Sequence, residues 1–303
     1  MTAGDTTTSK PRARQGRAIH GMGRSIALSL LPGSLLFVVF ILVPLVVLVV
    51  TSFTDWDARL FEFTRFDNYT RLVSDQVFWK AFGNTALYAA AGVFIQVPLG
   101  VAVGIVLGEH IRGWKVFRAV LFTPVVISGA AFALIFANVY NPRYGLLNWV
   151  LDYVGIQGPD WLFDVNTSLL AVAGTFVFNI GLFMVLTMTE VAAIPIEILE
   201  SAQVDGASRT QRQFHVVLPL LRHVTGTCVL LSLLATLGFF DIVFILTRGG
   251  PADTTVTLAV YAYRLYTAGQ WGYANTVGVL IVVAGFLLIM VVRRVFRVGE
   301  RDL

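Results

Sequence analysis

The chain has 303 residues, 56% of them hydrophobic and only 13% charged, with a formal net charge of +4 and a mean hydropathy of +0.76. A soluble domain carries about 25% charged residues, so the composition excludes one and selects a membrane protein. A single cysteine, Cys228, excludes an internal disulfide framework, and four histidines without metal-type spacing give no zinc signature.

In chain order, the polar opening "MTAGDTTTSKPRARQGRAIH" predicts a disordered cytoplasmic tail over 1–24. Apolar runs of about 20 residues then predict six transmembrane helices, at roughly 26–50, 82–108, 119–140, 168–189, 224–247 and 274–292. Together they make one transmembrane domain over 25–295, followed by a cytoplasmic tail over 296–303. The first run follows Arg12, Arg14, Arg17 and Arg24 as a signal peptide's apolar region would. It is too long for that role and lacks an obvious small-residue cleavage site, so it reads as a retained span. Pro44, Pro98 and Pro124 are positioned to break helices. Asp241 is the one charged side chain inside all six runs.

Lysine and arginine set the orientation. With both termini in the cytoplasm, 15 of the 22 basic residues and all four histidines lie inside, and seven basic residues lie outside. The basic excess is then a topological signal, and nucleic acid is not expected as a partner. The outer segments are 51–81, 141–167 and 248–273, and the first two carry clusters of Trp, Tyr and Phe, as interfacial anchors do.

Between spans four and five, on the cytoplasmic side, lies the loop 194–221, "IPIEILESAQVDGASRTQRQFHVVLPLL". Pro195 suits a helix start, and Glu197 and Glu200 suit its early turns. Gly206 after Asp205 can take the left-handed conformation that ends a helix. Ser208 with Gln211 is a capping-box pattern opening a second helix, and Pro219 marks a kink before span five. The expected unit is helix, sharp turn, helix. A folded connector alone is the commonest reading of such a loop. A small-residue face with acidic flanks also suits docking into a groove on another protein.

"ESAQVDGASRTQRQFHVVLPLL" resembles the EAA loop of membrane subunits of binding-protein-dependent ABC importers. Glu200, Ala202, Asp205, Gly206, Ala207, Phe214, Leu218 and Pro219 fall on its pattern, and Ser201 stands where the motif has alanine. "RGWKVFRAVLFTPVVIS", "NPRYGLLNWVL" and "FFDIVFILTRGGPADTTVTLAVYAYR" look like carbohydrate-uptake permeases. Their order is more similar to the maltose permease F-like type, with glycerol-phosphate permease A-like proteins as close relatives. The resemblance covers roughly 26–295. It implies an all-α polytopic membrane protein with the type I importer permease fold, a non-catalytic subunit passing a sugar, above all an oligosaccharide, across the plasma membrane. It also implies its partners: a second permease as heterodimer, a cytoplasmic ATPase dimer and an extracytoplasmic solute-binding protein. The helix ending at Gly206 would be the coupling helix. Glu200, Ser201, Ala202, Asp205, Gly206, Ala207, Leu218 and Pro219 would then be the ATPase-coupling residues. No G-x-x-x-x-G-K-[ST] occurs, so this chain is expected to bind no cofactor, with ATP and Mg held on the partner ATPase.

For the substrate, Asn179 lies about ten residues into span four, about 15 Å down. An unpaired amide is costly there, which suits either a helix–helix hydrogen bond or a sugar hydroxyl. Asp241, counted along an unbroken span five, falls about 26 Å from the inner face, where snorkelling suffices to explain it. The "TRGGP" turn at 247–251 shapes the outer mouth or meets a solute-binding protein, as Asp253, Trp271 and Arg143 also could. A secondary, ion-coupled transporter is the rival reading, requiring discontinuous spans and paired intramembrane carboxylates. A membrane enzyme lacks a nucleophile–base pair or metal cluster at depth, and only the coupling loop speaks against a purely structural subunit.

Overall fold

The computed structural model describes residues 29–57 and 61–296. The tail expected over 1–24, and all of the tail expected over 296–303 except Phe296, lie outside these residues. The described residues up to Val50 and those from Thr51 onward form two compact units. The helix α1 (Ser29–Thr51) has 23 residues, about 35 Å at 1.5 Å per residue, and so is long enough for a hydrocarbon core of about 30 Å.

The second unit opens with an antiparallel hairpin, β1 (Thr54–Trp56) and β2 (Phe61–Phe63), with Asp55 opposite Glu62. Helices then follow: α2 (Asp67–Ser74), α3 (Gln76–Gly108), α4 (Trp114–Val126), α5 (Gly129–Val139), α6 (Leu146–Tyr153) and α7 (Ser168–Ala192). Next come α8 (Ile196–Val204), α9 (Arg209–Leu220), α10 (Arg222–Leu237), α11 (Asp241–Leu246), α12 (Leu258–Thr267) and α13 (Trp271–Phe296). Hairpin aside, the described residues bear out an all-α membrane protein.

Four helices, α1, α3, α7 and α13, can cross a membrane singly, and the number reaches six if α4–α5 and α9–α10 each count as one span. Two expected spans are therefore corrected. The helix expected over 119–140 is two helices bent by 106°, because Ile127 is extended and the Ser128 hydroxyl, accepting from the Ala131 N–H at 3.3 Å, caps a new helix. The helix expected over 224–247 stops at Leu237 and resumes at Asp241. Its free carbonyl at Phe239 accepts the Thr257 hydroxyl at 2.9 Å, so the break is satisfied by the chain that follows.

Proline explains the other irregularities. A proline ring collides with the carbonyl four residues back. Wider π turns occupy Val38–Leu42, Gly92–Gln96 and Gln213–Val217, each centred four residues before Pro44, Pro98 or Pro219. Pro44 and Pro98, expected as possible breaks, are thus absorbed within continuous helices.

The end of α3 packs on the end of α7 through Gly100, Gly104 and Gly108. A Cβ there would lie 2.7 Å from the Phe183 Cβ, 2.6 Å from the Thr187 Cβ and 2.7 Å from the Val191 Cγ1, respectively. Small residues every fourth position let two helix backbones approach closely. The cores divide along the bundle. Tyr88, Phe132, Phe176, Phe239, Val256 and Val277 form the larger cluster toward the 247–257 loop, and Val97, Phe183, Cys228 and Val229 a smaller one toward α8 and α9.

Candidate functional site

Two regions carry the residues that the sequence singles out. The first is the elbow of α8 and α9. Pro195 is the N-cap of α8, with φ −56° and ψ 132°. At the other end Gly206 adopts φ +82°. Its N–H reaches the Gln203 carbonyl at 3.1 Å and the Ala207 N–H reaches Ala202 at 3.0 Å, the paired bonds of a Schellman cap. A Cβ on Gly206 would meet nothing within 4 Å, so the left-handed backbone alone requires glycine. The expected capping box is present: the Ser208 N–H donates to Gln211 Oε1 at 2.8 Å, and the Gln211 N–H to Ser208 Oγ at 3.3 Å. After Leu218 and Pro219, the chain bends by 67° at the buried Leu221.

Along this elbow Glu200, Ser201, Asp205 and Gly206 are exposed, and Ala202 and Ala207 are half-buried. Among the described residues the carboxylates of Glu200 and Asp205 have no ion-pair partner. Ile196, Val204 and Phe214 are also exposed, Val204 to 87% and Phe214 to 64%. The elbow is therefore held by its own caps, and it presents apolar and acidic groups that its own chain leaves uncovered.

The second region is a belt where consecutive spans lose helical regularity: the π turn of α3 at Gly92–Gln96, the α4–α5 break, the interruption of α7 at Phe178–Ile180, and the α10–α11 break. Irregular backbone at membrane depth persists only where protein or a water-lined path satisfies it. Gln96, 3% exposed, does so here. Its Nε2 donates to the carbonyls of Phe176 at 2.9 Å and Asn179 at 3.1 Å, and its Oε1 accepts the Ser232 hydroxyl at 3.1 Å. Gln96 thus joins three spans, the role that sequence offered to Asn179. The Asn179 side chain is half-buried and has no hydrogen-bond partner among the described residues. Asp241 is exposed at the start of α11, against Gly129, where a Cβ would lie 3.1 Å from Asp241 Oδ2. The count along an unbroken helix that placed it is interrupted, because α10 ends at Leu237. The structure does not join Asn179 and Asp241 by any direct contact.

Sequence reasoning missed three features: Gln96, the Gly100–Gly104–Gly108 stripe and Glu109. The stripe was readable as small residues at fourth positions; Gln96 was readable as a lone amide inside an apolar run. Glu109, which follows α3, accepts from Arg209 and Gln213 and lies 3.9 Å from Arg212. No local signal pairs residues 100 positions apart.

Residues 96–301 match the family described as binding-protein-dependent transport system inner membrane component. The chain belongs to this family. The permease is 31% identical to the probable ABC transporter permease protein YurN of Bacillus subtilis, over 89% of this chain and 95% of that protein. It is 32% identical to the diacetylchitobiose uptake system permease protein NgcF of Streptomyces coelicolor, over 88% and 81%. Its fold is similar to a chain of a bacterial ABC transporter that imports the acidic polysaccharide alginate, with a TM-score of 0.82, 20% identity and coverage of 94% and 100%. Family membership makes this permease a non-catalytic subunit of the plasma membrane, with ATP hydrolysis on a separate subunit. It also displaces the secondary-carrier reading, although broken spans occur in both kinds of transporter.

Proposed function

We propose that this permease passes a sugar, above all an oligosaccharide, from an extracytoplasmic binding protein to the cytoplasm, paired with a second permease. The carbohydrate-uptake resemblance and a diacetylchitobiose system relative support the substrate class. In this reading both termini and the elbow face the cytoplasm, the domain runs over 25–295, and α8 docks in a cleft of the ATPase dimer, which holds ATP and Mg.

The single observation carrying the docking role is the exposed, doubly capped elbow with Glu200, Asp205, Gly206 and uncovered apolar side chains at its tip. Ser201, Ala202 and Ala207 keep its surface low, and Leu218 and Pro219 set its exit toward α10. Sugar contact falls to the belt, where Asn179 offers a free amide and Asp241 a free carboxylate for hydroxyl groups.

Capture of the tagged permease from native membranes, with mass spectrometry of every associated chain, tests this. The expected yield is a second permease, a P-loop ATPase and a solute-binding protein. Recovery of the chain alone would overturn the reading.

A further inference from the structure

Glu109 sits one residue beyond α3, with its side chain 22% exposed. Three groups from the second half of the elbow converge on it: the Arg209 guanidinium and the Gln213 amide on its two oxygens, and the Arg212 guanidinium at 3.9 Å. The space beside this cluster is not packed. A cavity of about 590 Å³ lies between the ends of α3 and α7 and the elbow, lined among others by Gly108, Val191, Ile196 and Leu199. Arg212 Nε and Gln213 Oε1, both buried, have no partner. An apolar core would join the elbow to the bundle through many small contacts; here the buried Val217 and Leu221 do so only at the far end of α9, and beside the cavity a polar clasp takes over.

The two ends of the elbow are therefore attached differently. α8 continues from α7 through only three residues, 193–195. α9 is tied to α3 through Glu109. The glycine stripe already locks α3 to α7 up to Gly108, and the clasp begins at the next residue. Without it, α9 could swing on the bend at Leu221 while α8 stayed seated.

We propose that Glu109 is a positioning residue that fastens the second elbow helix to span two, so that displacement of α8 moves spans two and four together. The inference rests on the docking role proposed for the elbow. An isolated exposed ion pair contributes little, but two hydrogen bonds and a second guanidinium on one partly buried carboxylate order the group cooperatively.

The test is hydrogen exchange on the complex captured from native membranes, comparing the natural chain, Glu109→Ala, Glu109→Gln, and a reversed clasp with Glu109→Arg, Arg209→Glu and Arg212→Gln. In Glu109→Ala, and in Glu109→Gln should the first fail to accumulate, amides of 209–217 are expected to exchange about 5-fold faster or more, the signature of local opening. The melting temperature of the whole chain should stay unchanged. The exchange response of residues 105–112 to trapping the ATPase with ATP and vanadate should be lost, and the reversed clasp should restore both readouts. Natural exchange over 209–217 in both single variants overturns the proposal, as does loss without rescue by the reversed clasp. Failure of the natural chain to capture any ATPase overturns the docking role instead, and the clasp is then judged by exchange over 209–217 alone.

Discussion

The elbow at 196–212 and the loop at 247–257 are both turns built around a left-handed glycine, and they differ in how much of their bonding comes from elsewhere in the fold. In the loop, Gly249 adopts φ +86°, and bonds within the turn, such as that between the Thr247 and Thr255 hydroxyls at 2.6 Å, are joined by several from other helices. Lys80 Nζ donates to the Ala252 carbonyl at 2.6 Å, Asn84 to Val256 at 2.9 Å, and the Ser168 and Thr254 hydroxyls meet at 2.9 Å. Arg264 binds Asp253 at 2.5 Å and the Arg248 carbonyl at 2.6 Å. In the elbow the turn's own bonds span three to five residues, and one ionic clasp, from Arg209 and Arg212 to Glu109, reaches the bundle. A segment stitched from outside is part of the packed unit. One that is capped from within keeps its shape while leaving its surface free, which is what a docking element needs.

The two glycines offer the sharpest way to break this comparison. Gly206→Val strains a left-handed residue by about 1–2 kcal/mol in open space, so the bundle should melt as before. Retention of the ATPase in the native-membrane capture should fall about tenfold, as a shift of about 1.4 kcal/mol would give. Gly249→Val adds crowding to the strain, because its Cβ would lie 2.8 Å from Arg264 Nη2 and 3.3 Å from the Val256 Cα. Its melting temperature should drop by several degrees, as about 1–3 kcal/mol implies, with the captured ATPase per folded chain unchanged. Exchange of these two outcomes would reverse the roles assigned to the two turns.

The same contrast decides how much the sequence could disclose. The elbow was legible, down to Gly206 as helix stop and Ser208 with Gln211 as capping box, because its determinants lie within a few residues of one another. The loop was legible only as a turn: that Asp253 is committed to Arg264, and that Trp271 stacks on Tyr266 with ring centroids 5.6 Å apart, depends on how helices meet. Apolar length found the spans but not the breaks at Ile127–Ser128 and Gly238–Phe240, since hydropathy is blind to where the helical bonding fails. Nor did it distinguish Pro44 and Pro98, each absorbed by a π turn, from a helix-ending proline. At the belt, a lone amide marked Asn179, yet the bonds that hold three spans together belong to Gln96.

A smaller effect sharpens the elbow half of the comparison. Ser208→Ala removes one arm of the capping box and should cost about 1 kcal/mol locally. Exchange of the 209–212 amides should rise about fivefold, the equilibrium factor for that energy. Because Ser208 is exposed and its hydrogen bonds stay within the elbow, the loop's exchange and the melting temperature should not move. A drop in melting temperature would mean that the cap supports the bundle and not the elbow alone.

The smallest expected effect lies at the stitched end and depends on pH. Asp75 caps α3, accepting from the Val77 and Phe78 N–H groups at 2.9 and 3.2 Å. It also accepts the hydroxyls of Tyr261 and, at 2.6 Å, Tyr273. Burial alone would raise its pKa, but the Tyr261 and Tyr273 hydroxyls and the two backbone donors outweigh it and hold the carboxyl below its ordinary value. The Tyr261 hydroxyl is pushed up in turn, first by burial and then by its bond to Asp75. Arg71, 4.2 Å above the Tyr273 ring and 2.8 Å from Gln270 Oε1, closes the cluster. A depressed carboxyl contributes stability above its unfolded pKa of about 3.9 and loses it as pH falls through the lower folded value. The natural chain should therefore lose more melting temperature than Asp75→Asn as pH falls from about 5 through that range. Equal slopes would show that three helices meet at Asp75 by packing alone, and that the loop end owes its rigidity to the apolar core and not to its polar stitches.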